Sequence, residues 1–144
     1  MTKNLNILLG DDQLLGSTIF FFEKNQAKRM QDTLSDYKIN WEYEMKPEKV
    51  ISKAETGNYN VVVTDLDYGD FGDGSHKDGY QIIDTVCKLN PKPLLILCTS
   101  TKESEEMRQK VNGKADFIAG PEKGHKFDGL ADILIKHFQK NEIR

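Results

Sequence analysis

The chain has 144 residues, of which 38% are hydrophobic. This length allows a hydrophobic core for one domain of ordinary size, so we predict a single domain over residues 1–144. Twenty basic and 23 acidic residues leave a net charge of -3, which excludes the overall positive field that would hold a nucleic-acid backbone or an anionic membrane. The longest apolar run, Leu14 to Phe22, is too short to span a bilayer and the amino terminus does not resemble a secretory signal, so the default expectation is a cytoplasmic protein.

Five short apolar runs predict β-strands. In chain order they are Asn6–Leu9, Ile39–Met45, Val61–Thr64, Leu94–Cys98 and Asp116–Ala119. The first, third and fourth runs are continuously apolar, which is typical of parallel strands that are covered by helices on both faces. The second run alternates between apolar and polar residues and therefore indicates an edge strand.

Five segments with apolar residues at helical spacing lie between and after these strands. The defining positions are Ala27, Met30 and Leu34; Val50, Ile51 and Ala54; Ile82, Ile83, Val86 and Leu89; Met107 and Val111; and Leu130, Ile133, Leu134 and Phe138. Gly57 and Gly113 are natural stops for the second and fourth helices, and Pro91 and Pro93 prevent the third from continuing. Alternating strands and helices predict an α/β, flavodoxin-like fold: a doubly wound parallel sheet of five strands in the order 2-1-3-4-5, with five helices.

Polar residues follow the three central strands, at the edge of the sheet where ligands bind in such folds. Asp11 and Asp12 follow the first strand, Asp65 follows the third, and Thr99 and Ser100 follow the fourth. Carboxylates that lie close together repel one another unless a cation neutralises them. Mg2+ prefers oxygen ligands and keeps waters that a phosphate can displace, so the pattern indicates a metal-assisted phosphoryl site.

Each of these residues also has a purely structural interpretation. An Asp after a strand is often a turn former or a helix N-cap. Thr99 or Ser100 could be the N-cap of the fourth helix, with Glu103 placed as in a capping box. The combination of an acidic pair, a further Asp and a Thr in a fold of five alternating units favours the functional interpretation.

The motifs "NILLGDDQ", "VVVTDLD", "KDGYQII", "LLILCTS" and "ADFIAGP" together resemble the receiver domains of two-component response regulators, of the chemotaxis-regulator type. The resemblance implies that Asp65 accepts a phosphoryl group from a phosphohistidine on a histidine kinase or a phosphotransfer protein. It also implies that Mg2+ is held by Asp11, Asp12, Asp65 and the backbone carbonyl of Asp67. Such a domain is a phosphoacceptor and not an enzyme acting on a separate substrate.

The resemblance further implies how a receiver domain signals. Thr99 matches the hydroxyl residue that moves toward the phosphoryl group, and Phe117 matches the aromatic switch on the fifth strand. Together they would change the surface formed by the fourth helix, the fifth strand and the fifth helix. This surface would then bind a downstream protein target, and its helix-four to helix-five face is a candidate homodimer interface.

The sequence departs from the family at the end of the fifth strand. The family has a Lys before Pro there, as a counter-charge for the phosphoryl group, whereas this chain has Gly120 before Pro121. Lys123 follows in a glycine-rich loop, where it either returns to the site or is solvated loop charge. An alternative is therefore a docking module that has lost regulated phosphorylation.

Two insertions also depart from the family. "DYGDFGDGSHK" lengthens the loop after the third strand, and we expect its inserted residues 68–77 to be long, mobile and solvated. Its Asp67, Asp70 and Asp73 lack the regular spacing of a calcium loop, and His76 is expected to be an exposed loop residue. The run from Leu14 to Phe22 either covers the crevice or, as we favour, extends the first helix into the core.

One class of enzymes also has an Asp-x-Asp motif after an apolar strand. "DLDYG" resembles the first motif of haloacid dehalogenase-like phosphatases, in which the first Asp is the nucleophile. Those enzymes place the motif near the amino terminus and their acidic pair later in the chain, so the phosphatase is the weaker alternative. Cys87 and Cys98 lack the spacing of a zinc or redox motif and are expected to be free thiols in the core.

Overall fold

One parallel sheet of five strands forms the centre of the molecule. The computed structural model describes residues 3–72, 78–120, 125 and 127–142. The strands are β1 (Lys3–Gly10), β2 (Tyr37–Glu44), β3 (Val61–Thr64), β4 (Leu94–Cys98) and β5 (Phe117–Ala119). Their order is β2-β1-β3-β4-β5 and every neighbouring pair is parallel, as predicted. The edge strand β2 alternates in burial, whereas all four residues of β3 are buried.

Five helices accompany the sheet within the described residues. Helix α1 consists of three consecutive segments, Ser17–Phe22, a π-helical turn at Glu23–Ala27, and Lys28–Thr33. The others are α2 (Pro47–Ala54), α3 (Asp78–Val86), α4 (Glu105–Val111) and α5 (Leu130–Glu142). Gly57 and Gly113 follow α2 and α4 with positive φ angles of 77° and 76°, a conformation that glycine adopts without steric cost. No helix in the described part of the chain is long and apolar enough to cross a membrane.

The two faces of the sheet bury two separate hydrophobic clusters, because successive side chains of a strand point to opposite faces. Leu9 and Val63 pack with residues of α1 and α5 on one face. Leu8 and Val62 pack with residues of α2, α3 and α4 on the other. The central strands are thus covered on both sides, which explains their continuous apolar sequence.

A buried polar side chain joins α1 to the beginning of α5. Gln26 lies in the π-helical turn and is only 8% exposed. Its Oε1 accepts a hydrogen bond from the backbone N–H of Ala131 at 3.0 Å. An N–H in the first turn of a helix has no partner within the helix, so Gln26 supplies one from a distant part of the chain.

The register of the strands aligns their carboxyl ends at one edge. Gly10, the last residue of β1, pairs with Thr64, the last residue of β3. The backbone N–H of Asp65 then donates to the carbonyl of Gly10 at 2.9 Å. The residues that follow β1 and β3 are consequently neighbours in space.

Two expectations for the regions beside this edge are only partly correct. Residue Tyr68, the first of the inserted loop, is fully buried and not solvated, and Gly69–Phe71 form a short 3-10 turn. Tyr68 fits because Gly10 has no side chain: a Cβ at Gly10 would overlap the phenol oxygen. The side chain of Asp70, and residues Asp73 and His76 with the rest of 73–77, lie outside the described residues.

The apolar run after the acidic pair is also only partly in the core. Leu14 and Phe22 are buried, as expected of an extended first helix. Leu15, Phe20 and Phe21 are instead about 60% exposed. Phe20 and Phe21 are exposed because a helix that packs one stripe against a sheet leaves the remaining positions in solvent, whereas Leu15 precedes the helix.

The N-cap of α4 is Ser104 and not Thr99 or Ser100. The Ser104 hydroxyl accepts a hydrogen bond from the backbone N–H of Met107 at 3.1 Å. This contact provides the N-terminal hydrogen bond that a capping side chain supplies. Thr99 and Ser100 are therefore left at the strand end.

Cys98 is buried, Cys87 is half-buried, and the two cysteines, both within the described ranges, form no disulfide, as predicted.

Candidate functional site

Three carboxylates meet at the carboxyl edge of the sheet. Asp11 follows β1 and is fully buried, Asp65 follows β3 and is 6% exposed, and Asp12 is half-buried. One carboxylate oxygen from each of the three lies within 4.8 Å of the others. The sequence predicted this cluster, and the alignment of β1 with β3 produces it.

Local hydrogen bonds hold two of these carboxylates in place. Oδ1 of Asp11 accepts from the backbone N–H of Gln13, and Oδ1 of Asp65 accepts from the N–H of Leu66, both at 2.8 Å. The first bond is the one expected of a turn-forming Asp. The structural interpretation of Asp11 is thus correct as well, and the turn that it forms directs its carboxylate toward Asp65.

The donor set matches what Mg2+ requires. Opposite ligand oxygens in an octahedral Mg2+ shell are about 4.2 Å apart, which is close to the 4.8 Å limit that encloses the three carboxylate oxygens. All three donors are oxygens, and Asp12 is partly open to solvent, so water could complete the shell. The residues Asp11, Asp12 and Asp65 therefore fit a small divalent cation.

Tyr68 is buried close to the three carboxylates. Its hydroxyl lies 2.8 Å from the hydroxyl of Thr64, and the Thr64 hydroxyl also hydrogen bonds to the backbone carbonyl of Asp65. Complete burial raises the pKa of Tyr68 well above its ordinary value, and the negative charges of Asp65, Asp11 and Asp12 raise it further. The phenol thus stays neutral, and the Thr64 hydroxyl connects it to the backbone carbonyl of Asp65.

A cavity of about 380 Å³ opens above the acidic cluster. Its lining comprises Asp12, Gln13, Asp65, Asp67, Thr99, Ser100, Thr101 and His125. Thr99 is 2% exposed and its backbone N–H donates to the carbonyl of Ala119 at 3.0 Å, which fixes the end of β4 against β5. Its hydroxyl accepts from the N–H of Thr101 at 3.1 Å. Asp67 accepts from the N–H of Gly69 at 2.8 Å.

Comparison with known proteins identifies the fold. No protein-family model and no curated protein matches the sequence. A signal receiver domain of an HD domain-containing protein from Pseudomonas fluorescens Pf-5 superimposes with a TM-score of 0.61 at 16% identity, covering 100% of this chain and 96% of that one. A response regulator receiver domain protein from Methanospirillum hungatei JF-1 gives 0.60 at 18% identity, with 100% of both chains covered. The chain has the receiver-domain fold.

A third receiver domain repeats the likeness. The signal receiver domain of a LuxO repressor protein from Vibrio parahaemolyticus superimposes with a TM-score of 0.63 at 15% identity, covering 97% of this chain and 94% of that one. The prediction of a receiver-type architecture is therefore confirmed. Sequence identities this low reflect a shared fold, and the chemistry of this receiver fold follows from its own side chains.

The expected switch residue of the receiver fold points away from the cavity. Phe117 on β5 is 38% exposed. Its ring packs edge-on against His137 of α5, with the ring centroids 6.3 Å apart. Phe117 also lines a second cavity, of about 680 Å³, between β5 and α4. The structure thus places Thr99 at the acidic cluster and Phe117 on the outer surface, beside α4 and α5.

The position of the family's lysine is buried and has no side chain. Gly120 has a φ of 102°, a value that side-chain-bearing residues rarely adopt. Pro121 and Lys123 lie outside the described residues.

Gln13, Thr101 and His125 line the cavity without having been predicted, and His125 is the one of the three with a ring. His125 lines the cavity together with Asp65. No motif pointed to it, because it lies in the connection between β5 and α5, whose path the local sequence does not determine. The only available signal was that a histidine follows the end of β5 by six residues.

Proposed function

We propose that this chain is a phosphoacceptor receiver domain of a two-component system. In this proposal Asp65 takes a phosphoryl group from a phosphohistidine on a histidine kinase or a phosphotransfer protein. Mg2+ is held by Asp11, Asp12, Asp65 and the backbone carbonyl of Asp67. The observation that carries the proposal is the convergence of three carboxylate oxygens within 4.8 Å, at the bottom of a cavity large enough for a phosphoryl group. The proposal also includes a cytoplasmic location and residues 1–144 acting as one domain.

The chemistry requires the residue types that are present. A carboxylate oxygen of Asp65 attacks phosphorus, the bond from phosphorus to the donor nitrogen breaks, and the donor imidazole leaves with the electron pair. A bound Mg2+ offsets the negative charge of the nucleophile and of the phosphoryl oxygens. The hydrogen bond from the Leu66 N–H to Asp65 orients the nucleophile, and the buried position of Asp65 limits competing water.

Signalling follows from the new charge. The acyl phosphate adds negative charge beside Thr99, whose hydroxyl can then donate to it. The hydroxyl leaves the N–H of Thr101 when it turns, which shifts the segment after β4. We propose that this shift moves Phe117 inward and changes how the α4–β5–α5 surface binds a protein target or a second copy of the chain.

The test is intact mass spectrometry of the chain after incubation with acetyl phosphate. With Mg2+ the natural chain should gain one phosphoryl group, and with EDTA it should gain none. Asp65→Asn should gain none under either condition. Asp32→Asn, an exposed position paired with Lys28 on α1, is the matched control and should behave as the natural chain. The absence of any phosphoryl group on the natural chain would refute the proposal.

A second candidate function, a docking module without regulated phosphorylation, is favoured by Gly120 at the position of the family's lysine. It predicts no phosphoryl transfer, and it predicts that Asp65→Asn leaves binding of the protein target unchanged.

The weaker alternative, a haloacid dehalogenase-like phosphatase, predicts steady turnover of a generic phosphomonoester such as p-nitrophenyl phosphate. A receiver domain predicts one phosphoryl group per chain and no steady turnover.

A further inference from the structure

His125 is one of the residues around the cavity into which a phosphoryl group on Asp65 would project. It lines the same cavity as Asp65 and Thr99, and it follows β5 in the chain. Gly120, at the end of that strand, has no side chain to offer. Within the described residues, His125 is the one nitrogen-bearing ring among the residues that line this cavity.

The ring of His125 is held by its surroundings. Its Nδ1 accepts a hydrogen bond from the backbone N–H of Phe127 at 3.2 Å. Its own backbone N–H donates to the carboxylate of Asp128 at 2.9 Å. The ring also contacts those of Phe127 and Phe21, with centroid distances of 5.3 Å and 6.4 Å. These contacts come from α1 and from the residues just before α5, so the ring position is set by two parts of the chain that are distant in sequence.

The contact at Nδ1 determines what the other ring nitrogen can do. A neutral imidazole has one N–H donor and one acceptor nitrogen. Because Nδ1 accepts from Phe127, the proton of the ring is on Nε2. The group that remains to act in the cavity is therefore an N–H donor, suited to an anionic oxygen and unsuited to binding a cation.

We infer that Nε2–H of His125 donates a hydrogen bond to an oxygen of the phosphoryl group on Asp65. His125 thereby takes, in this chain, the contact that a strand-five lysine would otherwise make. The inference rests on the proposed function, since it needs a phosphoryl group at Asp65. It differs from the lysine arrangement in that a neutral donor recognises the group without supplying a full counter-charge.

The test compares two substitutions at His125. His125→Phe keeps an aromatic ring against Phe127 and Phe21 but removes the donor. His125→Gln keeps an N–H donor near the position of Nε2. With acetyl phosphate and Mg2+, His125→Phe should be phosphorylated about tenfold more slowly than the natural chain, the factor expected for one hydrogen bond to a charged group. His125→Gln should recover most of the rate.

Two further measurements separate a direct contact from a general disturbance. Calorimetric titration with MgCl2 should give the same affinity for the natural chain and for both variants, because His125 does not contact the cation. Asp32→Asn, at an exposed position on α1 paired with Lys28, is the control and should keep the natural rate. In 15N NMR of the natural chain, the Nε2 signal of His125 should move on addition of beryllofluoride with Mg2+.

The outcomes distinguish this inference from the proposed function. Phosphorylation of His125→Phe at the natural rate, or a fall in Mg2+ affinity that matches the fall in rate, would overturn the role of His125 and leave Asp65 as the phosphoacceptor. An Nε2 signal that does not move would overturn it as well. A natural chain that takes no phosphoryl group would overturn the proposed function and, with it, the role of His125.

Discussion

Asp12→Asn should make the protein more stable without Mg2+ and less responsive to it. The carboxylate of Asp12 lies within 4.8 Å of those of Asp11 and Asp65. Two unit charges at that distance repel by about 3.5 kcal/mol at an effective dielectric constant of about 20, and by about 0.9 kcal/mol in bulk water. Asp12 is half-buried, so its environment lies between these limits. Removal of its charge should raise the free energy of unfolding in EDTA by about 1–3 kcal/mol.

Mg2+ should stabilise the natural chain more than it stabilises Asp12→Asn. A ligand that binds only the folded state stabilises it by about 2.7 kcal/mol at a concentration 100 times its dissociation constant. The natural chain should gain stability of this size at saturating MgCl2, while Asp12→Asn, which loses one anionic ligand, should gain little. The most informative quantity is therefore the change in the free energy of unfolding between EDTA and MgCl2. This change should be large for the natural chain and small for Asp12→Asn.

The assay is urea unfolding in EDTA and in MgCl2, followed by tryptophan fluorescence. Trp41 is the only tryptophan of the chain, and its ring packs against Phe22 with a centroid distance of 4.9 Å, so its emission reports loss of the core. Asp32→Asn, which makes the same change in net charge at an exposed position, should show no gain in EDTA and an unchanged response to Mg2+. If Asp12→Asn is destabilised in EDTA, or responds to Mg2+ as the natural chain does, the argument from carboxylate repulsion is wrong.

Two further predictions concern the supports of the site. A Cβ at Gly79 would lie 2.6 Å from the Cα of Leu66, so Gly79→Ala should cost about 1–3 kcal/mol of stability by overpacking and should slow phosphorylation of the adjacent Asp65. Urea unfolding measures the first effect and intact mass spectrometry the second. A variant as stable as the natural chain would contradict the prediction. Tyr68→Phe loses the contact with Thr64, which should cost about 1 kcal/mol at neutral pH. Burial raises the pKa of Tyr68, so above about pH 10 the unfolded state ionises first and stability falls. The variant should lose less stability than the natural chain between neutral pH and about pH 11, and equal losses in the two proteins would contradict this reasoning.

The sequence by itself was enough for the architecture and for the acidic cluster. Strand and helix periodicities are local properties of the chain, and continuous apolar strands between helices allow few arrangements other than a parallel sheet. In such a sheet the residues that follow the central strands share one edge. Asp11, Asp65 and Thr99 could therefore be placed together before any coordinates were known, and the pairing of Gly10 with Thr64 is the contact that brings the first two side by side.

Tertiary structure alone decided which neighbouring residues complete the site. Tyr68 is buried because Gly10, on a different strand, leaves space for its ring, so a loop that looks polar in sequence begins in the core. The ring of His125 lines the cavity and contacts Phe21 of α1 as well as Phe127, which precedes α5. Phe20 and Phe21 remain exposed because α1 turns only one stripe toward the sheet. For Tyr68 and His125 the deciding contact joins segments that are far apart in the chain, and a local pattern of residues carries no information about such contacts.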